Sequence, residues 1–212
     1  MKPAYSEMYL DDAMENMGEM LDYAVNVCHM DIEEFWKMFL ASGLAEEFGK
    51  GFPKVVSGTS GTEMVYQVLD KAGVEAQEFP VQIEYARSRE YWSGWILAYY
   101  QWLSGKSFKD IYMSLNMNEI QRLYPTLHEA NEEKFVEIAD SIIAKNTKLT
   151  KLQMLRKNSG YSQSELARRS GVSKRMIQQY EIGAKDINKA AGTTLLAIAR
   201  VLGCEVEDLL EL

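Results

Sequence analysis

Basic and amide side chains are concentrated in one stretch of the sequence. Between Lys151 and Lys189 there are nine basic residues and three acidic ones, a local charge of plus 6 in a chain of net charge minus 8. Lys and Arg neutralise phosphates, and Arg, Lys and Gln pair with the edges of bases. Side chains in this stretch that can form such bonds include Gln163, Ser173, Lys174, Arg175, Gln178, Gln179 and Lys185. Their chemistry is that of nucleic-acid recognition.

The rest of the chain carries the opposite charge. Residues 1–148 contain 13 basic and 24 acidic residues, a net charge of minus 11. A polyanion repels such a surface, so we expect this part to face away from nucleic acid. The change in charge predicts two domains, an acidic one at 1–146 and a basic one at 147–212.

Capping residues divide the basic stretch into short helices. Leu149, Leu152 and Leu155 share one face of a first helix that ends near Gly160. Ser162 begins a second helix, and its Ser-Gln-Ser-Glu order predicts a capping box with Glu165.

A third helix follows after a short turn. Gly171 makes the turn, Val172 packs into the core, and Ser173 caps a helix from Lys174 to Ile182 that Gly183 ends. In the second helix Leu166 and Ala167 face inward, whereas Arg168 and Arg169 face solvent or phosphate. The order is helix, short turn, helix.

This region resembles the Cro/cI, or XRE, helix-turn-helix domains of phage repressors and bacterial regulators. The resemblance covers about 64 residues and rests on Leu-Arg, Tyr-Ser-Gln-Ser-Glu-Leu-Ala, Ser-Gly-Val-Ser, Ile-Gln-Gln-Tyr-Glu, Leu-Leu-Ala-Ile-Ala-Arg-Val-Leu-Gly-Cys and Asp-Leu-Leu. It implies a five-helix, lambda-repressor-like fold. The loop after Gly183 is longer than in the family and lacks its usual proline, so the contacts of that loop are the least transferable.

A recognition helix in the major groove offers its first residues to base edges. We therefore expect Ser173, Lys174, Arg175, Gln178 and Gln179 to contact bases. By resemblance Gln163 contacts the DNA backbone, and Lys185 and Arg156 are weaker candidates for phosphate contacts.

The resemblance implies a sequence-specific binder of double-stranded DNA. Because one such domain reads only a few base pairs, we expect a homodimer on a palindromic operator, acting as an autoregulating repressor in the cytoplasm. The alternative is an antitoxin, in which residues 1–146 neutralise a partner toxin and the C-terminal domain represses the operon.

Helical periodicity dominates the acidic part, and the predicted fold class is all-α. Leu10, Met14, Met17 and Leu21 recur at helical spacing, and Asp31 caps a second helix that carries Phe35, Phe39 and Leu40. We expect a glycine-containing loop at 49–61, then a helix capped by Ser60 or Thr62 that runs to Ala72. A phosphate-binding loop is the alternative for 49–61, but GxxxxGK[ST] order is missing.

An aromatic stripe marks a later helix. Trp92, Trp95, Tyr99 and Trp102 share one face, which we interpret as core, with a ligand pocket as the alternative. Gly94 and Ala98, on a neighbouring face, allow another helix to approach closely.

The remaining segments predict further helices and one weak strand. We expect helices at Phe108–Leu115, at Asn118–Leu123 ending before Pro125, and at Leu127–Lys145. The nearest candidate for a strand is Val81, Ile83 and Tyr85, which alone cannot form a sheet.

Few residues suit catalysis or metal binding. Cys28 and Cys204 lack the spacing of a zinc site, and we interpret them as reduced thiols. Neither His29 nor His128 stands beside a Ser or Cys nucleophile in a recognisable motif, because the adjacent Cys28 and His29 would point to different faces of a helix. His128 with Glu129, Glu132 and Glu133 could form a metal site, although an exposed acidic surface explains them better. We expect no catalysis, no metal and no cofactor, and no segment is apolar enough to span a membrane.

Overall fold

A computed structural model describes residues 3–74, 88–146 and 149–211. The chain divides into two compact units, Met1–Asp140 and Ser141–Leu212. The described residues are helical and contain no strand, so the all-α prediction is confirmed for them. The candidate strand at Val81, Ile83 and Tyr85 lies outside them. The predicted domain boundary follows residue 146, next to residues 147 and 148, which are not among the described residues. The boundary stays a prediction.

Nine α-helices begin among the described residues of the first unit. They are α1 (Leu10–Asp22), α2 (Ile32–Ala41), α3 (Leu44–Gly49), α4 (Pro53–Val56), α5 (Gly61–Lys71), α6 (Arg89–Ser104), α7 (Phe108–Ser114), α8 (Met117–Leu127) and α9 (Glu132–Asn146). The division between the units falls within α9.

Local chemistry sets several of these helix ends. The Asp31 side chain accepts hydrogen bonds from the amides of Glu33 and Glu34, as predicted. Ser60 rather than Thr62 caps α5, and its capping box with Glu63 is complete. A π-helical turn, Tyr23–Val27, follows α1. The segment 49–61, predicted to be a plain loop, contains the short helix α4, which begins at Pro53 because proline suits a first helical position.

The first unit is organised around the packing of α1 against α6. A Cβ atom added to Gly94 would lie 2.2 Å from the carbonyl oxygen of Met17 and 3.0 Å from the Cα of Gly18. The backbones of α1 and α6 are therefore so close that only glycine fits at position 94. This confirms the close approach predicted from Gly94.

The aromatic stripe of α6 is not the centre of the core. Trp92 and Trp102 are buried, but Trp95 and Tyr99 are half-exposed. The most deeply buried side chains of α6 are Ser93, Ile96, Leu97, Ala98, Tyr100 and Gln101. They contact more than one neighbour, since Tyr100 donates to Asp140 in α9 and Gln101 donates to the Gly49 backbone in α3. The prediction of a core face on the stripe is therefore wrong for Trp95 and Tyr99.

A second cluster of aromatic rings joins α2, α3 and α7. The Phe108 ring lies 5.6 Å from Trp36, 6.0 Å from Phe39 and 5.8 Å from Phe48, each in an edge-to-face arrangement. Such pairs contribute about 0.5–1.5 kcal/mol each beyond the area they bury.

Helix α8 continues through Pro125 and ends at Leu127, and α9 begins only at Glu132. The predicted helix end before Pro125 and the predicted start at Leu127 are therefore wrong. A proline removes one hydrogen bond to the residue four positions earlier. Here that loss falls in the last turn, and Leu127 at the helix end is buried.

The second unit contains α10 (Lys151–Asn158), α11 (Gln163–Ser170), α12 (Lys174–Glu181) and α13 (Gly192–Leu202). Two 3-10 turns complete it, Ile187–Lys189 before α13 and Glu207–Leu209 in the place of a fifth helix. Its core includes Leu152, Leu166, Ile177, Ile198 and Leu209, each fully buried. Across the described residues, no helix combines the length and apolar character that crossing a bilayer requires.

The substitution Gly94→Ala tests the helix crossing. We expect it to lower the free energy of unfolding by about 1–3 kcal/mol, because the added methyl group would overlap the α1 backbone. Urea unfolding followed by far-UV circular dichroism measures the change.

Gly192→Ala is the matched control, since no atom lies within 4 Å of an added Cβ there. It should leave stability unchanged or raise it slightly. Equal stability of Gly94→Ala and the wild type would contradict the packing described.

Candidate DNA-binding site

Helices α11 and α12, with the turn between them, form the candidate site. The Ser162 side chain accepts a hydrogen bond from the Glu165 amide and starts α11. Gly171 ends that helix with a φ of 72°, a left-handed conformation that favours glycine. Ser173 accepts from the Met176 amide and starts α12. The predicted helix, short turn and helix are present with the predicted caps.

A buried ion pair joins the two ends of this region. The Arg156 guanidinium in α10 donates to both carboxylate oxygens of Glu181 at the end of α12, over 2.5 and 2.9 Å. It also donates to the backbone oxygen of Tyr161 over 2.7 Å. The side chains of Arg156 and Glu181 are only 10% and 1% exposed. Charged hydrogen bonds of this kind are strong and directional, so they fix α12 relative to α10.

The same carboxylate orients Gln163. The Gln163 amide nitrogen donates to Glu181 over 2.8 Å, and its oxygen accepts from Gln178 over 3.3 Å. Gln163, the first residue of α11, is thereby bonded both to the middle of α12 and to its end. Gln163 and Gln178, two of the predicted contact residues, are brought together on one surface.

The other predicted contact residues lie on the outside of α12 and beyond it. Ser173, Lys174, Arg175 and Gln178 are exposed, and Gln179 is half-buried. In the region from 149 to 211, the ammonium of Lys174 and the guanidinium of Arg175 make no ion pair. Their charges are therefore available to an anion at the start of α12, where the helix dipole also favours one.

Lys185 follows α12 and lies against it. Its backbone amide donates to the Gln179 oxygen over 3.1 Å, and its Nζ lies 3.4 Å from the Met176 sulfur. The loop that departs from the family pattern is anchored as well. Ile187 is buried, and Asn188 exchanges hydrogen bonds with the backbone of Glu211.

Two predictions about this region need correction. Arg156 is buried against Glu181 and cannot serve as a phosphate contact. The capping box at Ser162 is only half formed, because the Glu165 carboxylate lies 3.4 Å from Arg169 one turn along the helix. An opposite charge four residues away competes with the neutral amide that the box requires.

Sequence reasoning missed the part played by Glu181. Ile177 and Tyr180 are buried in the core, and Glu181 lies beside them at the end of the same helix. The sequence signal for this buried pair is an acid, Glu181, next to buried residues of α12, together with an arginine, Arg156, on the inner side of α10.

The histidines and cysteines do not form a second site. His128 Nδ1 lies 2.9 Å from the Tyr124 backbone oxygen, and its Nε2 lies 3.7 Å from Glu129. In the described part of the chain, no three His, Cys, Asp or Glu side chains are close enough together to hold a metal ion. Cys28 and Cys204 are free thiols, and burial raises the pKa of Cys28 to about 11. That thiol is protonated at neutral pH and is a weak nucleophile.

Residues 152–209 match the family model described as helix-turn-helix. This segment is an XRE-type helix-turn-helix domain, which confirms the resemblance read from its motifs. Such domains bind DNA sequence-specifically. No curated protein and no solved structure matches the chain.

Glu181→Ala tests the ion pair. It leaves the Arg156 charge buried without an opposite charge beside it, so we expect the second unit to lose about 3–5 kcal/mol of stability. Faster hydrogen exchange of the backbone amides in α10, α11 and α12 measures the loss.

Glu165→Ala is the control, because its ion pair with Arg169 is half-exposed. It should change amide exchange little. Unchanged protection in Glu181→Ala would show that the pair does not hold these helices.

Proposed function

We propose that this protein is a dimeric, autoregulating transcriptional repressor that binds a palindromic operator through α11 and α12. The observation that carries the proposal is the exposure of Lys174 and Arg175, which form no ion pair within residues 149–211, at the start of a helix whose position is fixed by the Arg156–Glu181 pair. Such a helix fits the major groove, about 12 Å wide, and presents its first residues to base edges.

Each contact residue has a role in the proposal. Arg175 or Lys174 pairs with guanine O6 and N7, and Gln178 or Gln179 with adenine N6 and N7. Gln163 contacts the DNA backbone at the edge of the groove, oriented there by Glu181. Ser173 and Lys185 add contacts at either end of α12. No catalytic step, metal or cofactor enters this function.

A homodimer is part of the same proposal. One domain reads a half-site of a few base pairs, and a second copy one helical turn away, about 34 Å, supplies the rest of the specificity. Ile182 at the end of α12 and Leu196 in α13 are large apolar side chains that are 75% and 44% exposed, and they offer apolar surface to the second copy. The protein would act in the cytoplasm, where its operator is.

A second candidate function is that of an antitoxin. Residues 1–148 carry a net charge of minus 11, which suits them to occupy a basic site on a partner protein. In that case the first unit, which we call the acidic unit, neutralises the partner while the C-terminal domain represses the operon that encodes both.

Base recognition is tested with the double variant Lys174→Ala/Arg175→Ala. We expect at least about a 10-fold loss of affinity for the DNA upstream of the protein's own gene, together with a smaller dependence of affinity on salt. Fluorescence anisotropy with labelled duplex at two salt concentrations measures both. Preference for that duplex over a scrambled one should disappear.

The control is Lys54→Ala/Arg122→Ala, which removes two exposed cations from the acidic unit. It changes the net charge equally and should leave affinity unchanged. Equal, feeble binding by all three proteins would count against a DNA-binding regulator.

The state of assembly separates the two candidate functions. Purified from its own host, the protein should have a mass of about 48 kDa by light scattering, twice the 24.2 kDa of the chain, and should contain one polypeptide. A stoichiometric second polypeptide would favour the antitoxin function, and a mass of one chain would contradict the dimer.

A further inference from the structure

A cleft in the first unit is lined by aromatic side chains from two distant segments of the sequence. Its volume is about 300 Å³, and it lies between α6, α8 and the start of α9. Tyr91, Trp92 and Trp95 come from α6 and Tyr124 from α8, whereas Glu129 and Glu132 lie nearby. We call this feature the aromatic cleft.

The walls of the aromatic cleft are held in place by specific contacts. The buried carboxylate of Glu90 in α6 accepts a hydrogen bond from Gln121 in α8 over 2.9 Å. The Trp92 ring meets the Tyr124 ring edge to face at 5.5 Å, and Tyr124 lies against His128 at 4.6 Å. The cleft is therefore formed before any ligand enters, which lowers the cost of binding.

The electrostatics of the aromatic cleft favour a cation. Two carboxylates line it, those of Glu129 and Glu132, and neither Lys nor Arg is among the lining residues. His128 also lines it, with its Nε2 3.7 Å from Glu129. Glu132 forms no ion pair with any residue in the described ranges. Aromatic faces also attract cations, because the π electrons of each ring make its face negative.

Polar atoms on the walls are also available. Within residues 88–146, the indole N–H of Trp95 and the hydroxyl of Tyr124 have no hydrogen-bond partner. Trp95 is half-exposed, whereas a tryptophan that only filled the core would be buried. The volume of the cleft is at the lower end of the range of small-molecule sites, so it suits a small ligand.

We propose that the aromatic cleft binds a small organic cation, an ammonium or quaternary ammonium group with apolar substituents. The cationic centre lies against the rings of Trp95, Tyr91 and Tyr124, and the carboxylates of Glu129 and Glu132 supply the opposite charge. This site is separate from α11 and α12 and gives the acidic unit a ligand of its own.

Isothermal titration calorimetry of the full chain tests the proposal. The probe is (3-hydroxyphenyl)trimethylammonium, and the control ligand is 3-tert-butylphenol, which has the same shape without the charge. The cation should bind about 2- to 30-fold more tightly than the neutral molecule, the range that cation–π contacts supply.

Two variants locate the binding. Trp95→Leu removes a half-exposed ring and should weaken binding of the cation about 2- to 30-fold, with little effect on the neutral molecule. Glu132→Gln should weaken it up to about 5-fold, less so at high salt. Glu133→Gln is the matched control, an exposed neighbour that does not line the cleft, and should bind as the wild type does.

Three results would overturn the proposal. They are equal affinity for the charged and neutral molecules, no saturable binding of the cation, and unchanged affinity in both Trp95→Leu and Glu132→Gln. Circular dichroism of each variant establishes that a loss of binding does not come from unfolding.

Discussion

The buried pair between Arg156 and Glu181 is the interaction on which the DNA-binding surface depends. Burying two charges costs several kcal/mol for each ion, and only close, multiple hydrogen bonds offset that cost. Here the guanidinium bonds to Glu181 and to the Tyr161 backbone, and Glu181 also accepts from Gln163. The buried pair is therefore stable only when these hydrogen bonds keep their geometry, and that geometry fixes the arrangement of α10, α11 and α12.

Charge is divided unevenly between the two units. The exposed cations Lys174 and Arg175 lie at the start of α12, whereas the long helices of the first unit are rich in acids. DNA is therefore attracted to one part of the molecule and repelled by the other. The acidic unit is suited to cationic ligands instead, and the cleft beside Trp95 carries the same preference on a smaller scale.

Features that depend on near neighbours in the sequence were predictable. Asp31, Ser60, Ser162 and Ser173 all cap helices as expected, because a cap needs only a polar side chain two or three residues from a free amide. The helix-turn-helix order follows from those caps. That order also gives the residues proposed for base contacts. The structure adds how far each of them is exposed to solvent.

Features that depend on a distant partner were not predictable. The buried face of α6 is set by the approach of α1 at Gly94, which outweighs the hydrophobicity of Trp95 and Tyr99. Pro125 is accepted within α8 since the bond it removes is in the last turn. Arg156 has the chemistry of a phosphate contact, and only its burial against Glu181 shows otherwise.

The positions of the tryptophans separate the two units optically. Trp36, Trp92, Trp95 and Trp102 are the four in the chain, and all belong to the acidic unit. Tryptophan emission therefore reports on that unit alone, and two of the four indoles line the cleft. A duplex bound at α12 is silent in this signal unless its arrival alters the other unit. Any emission change on adding DNA would be a direct sign of communication between them.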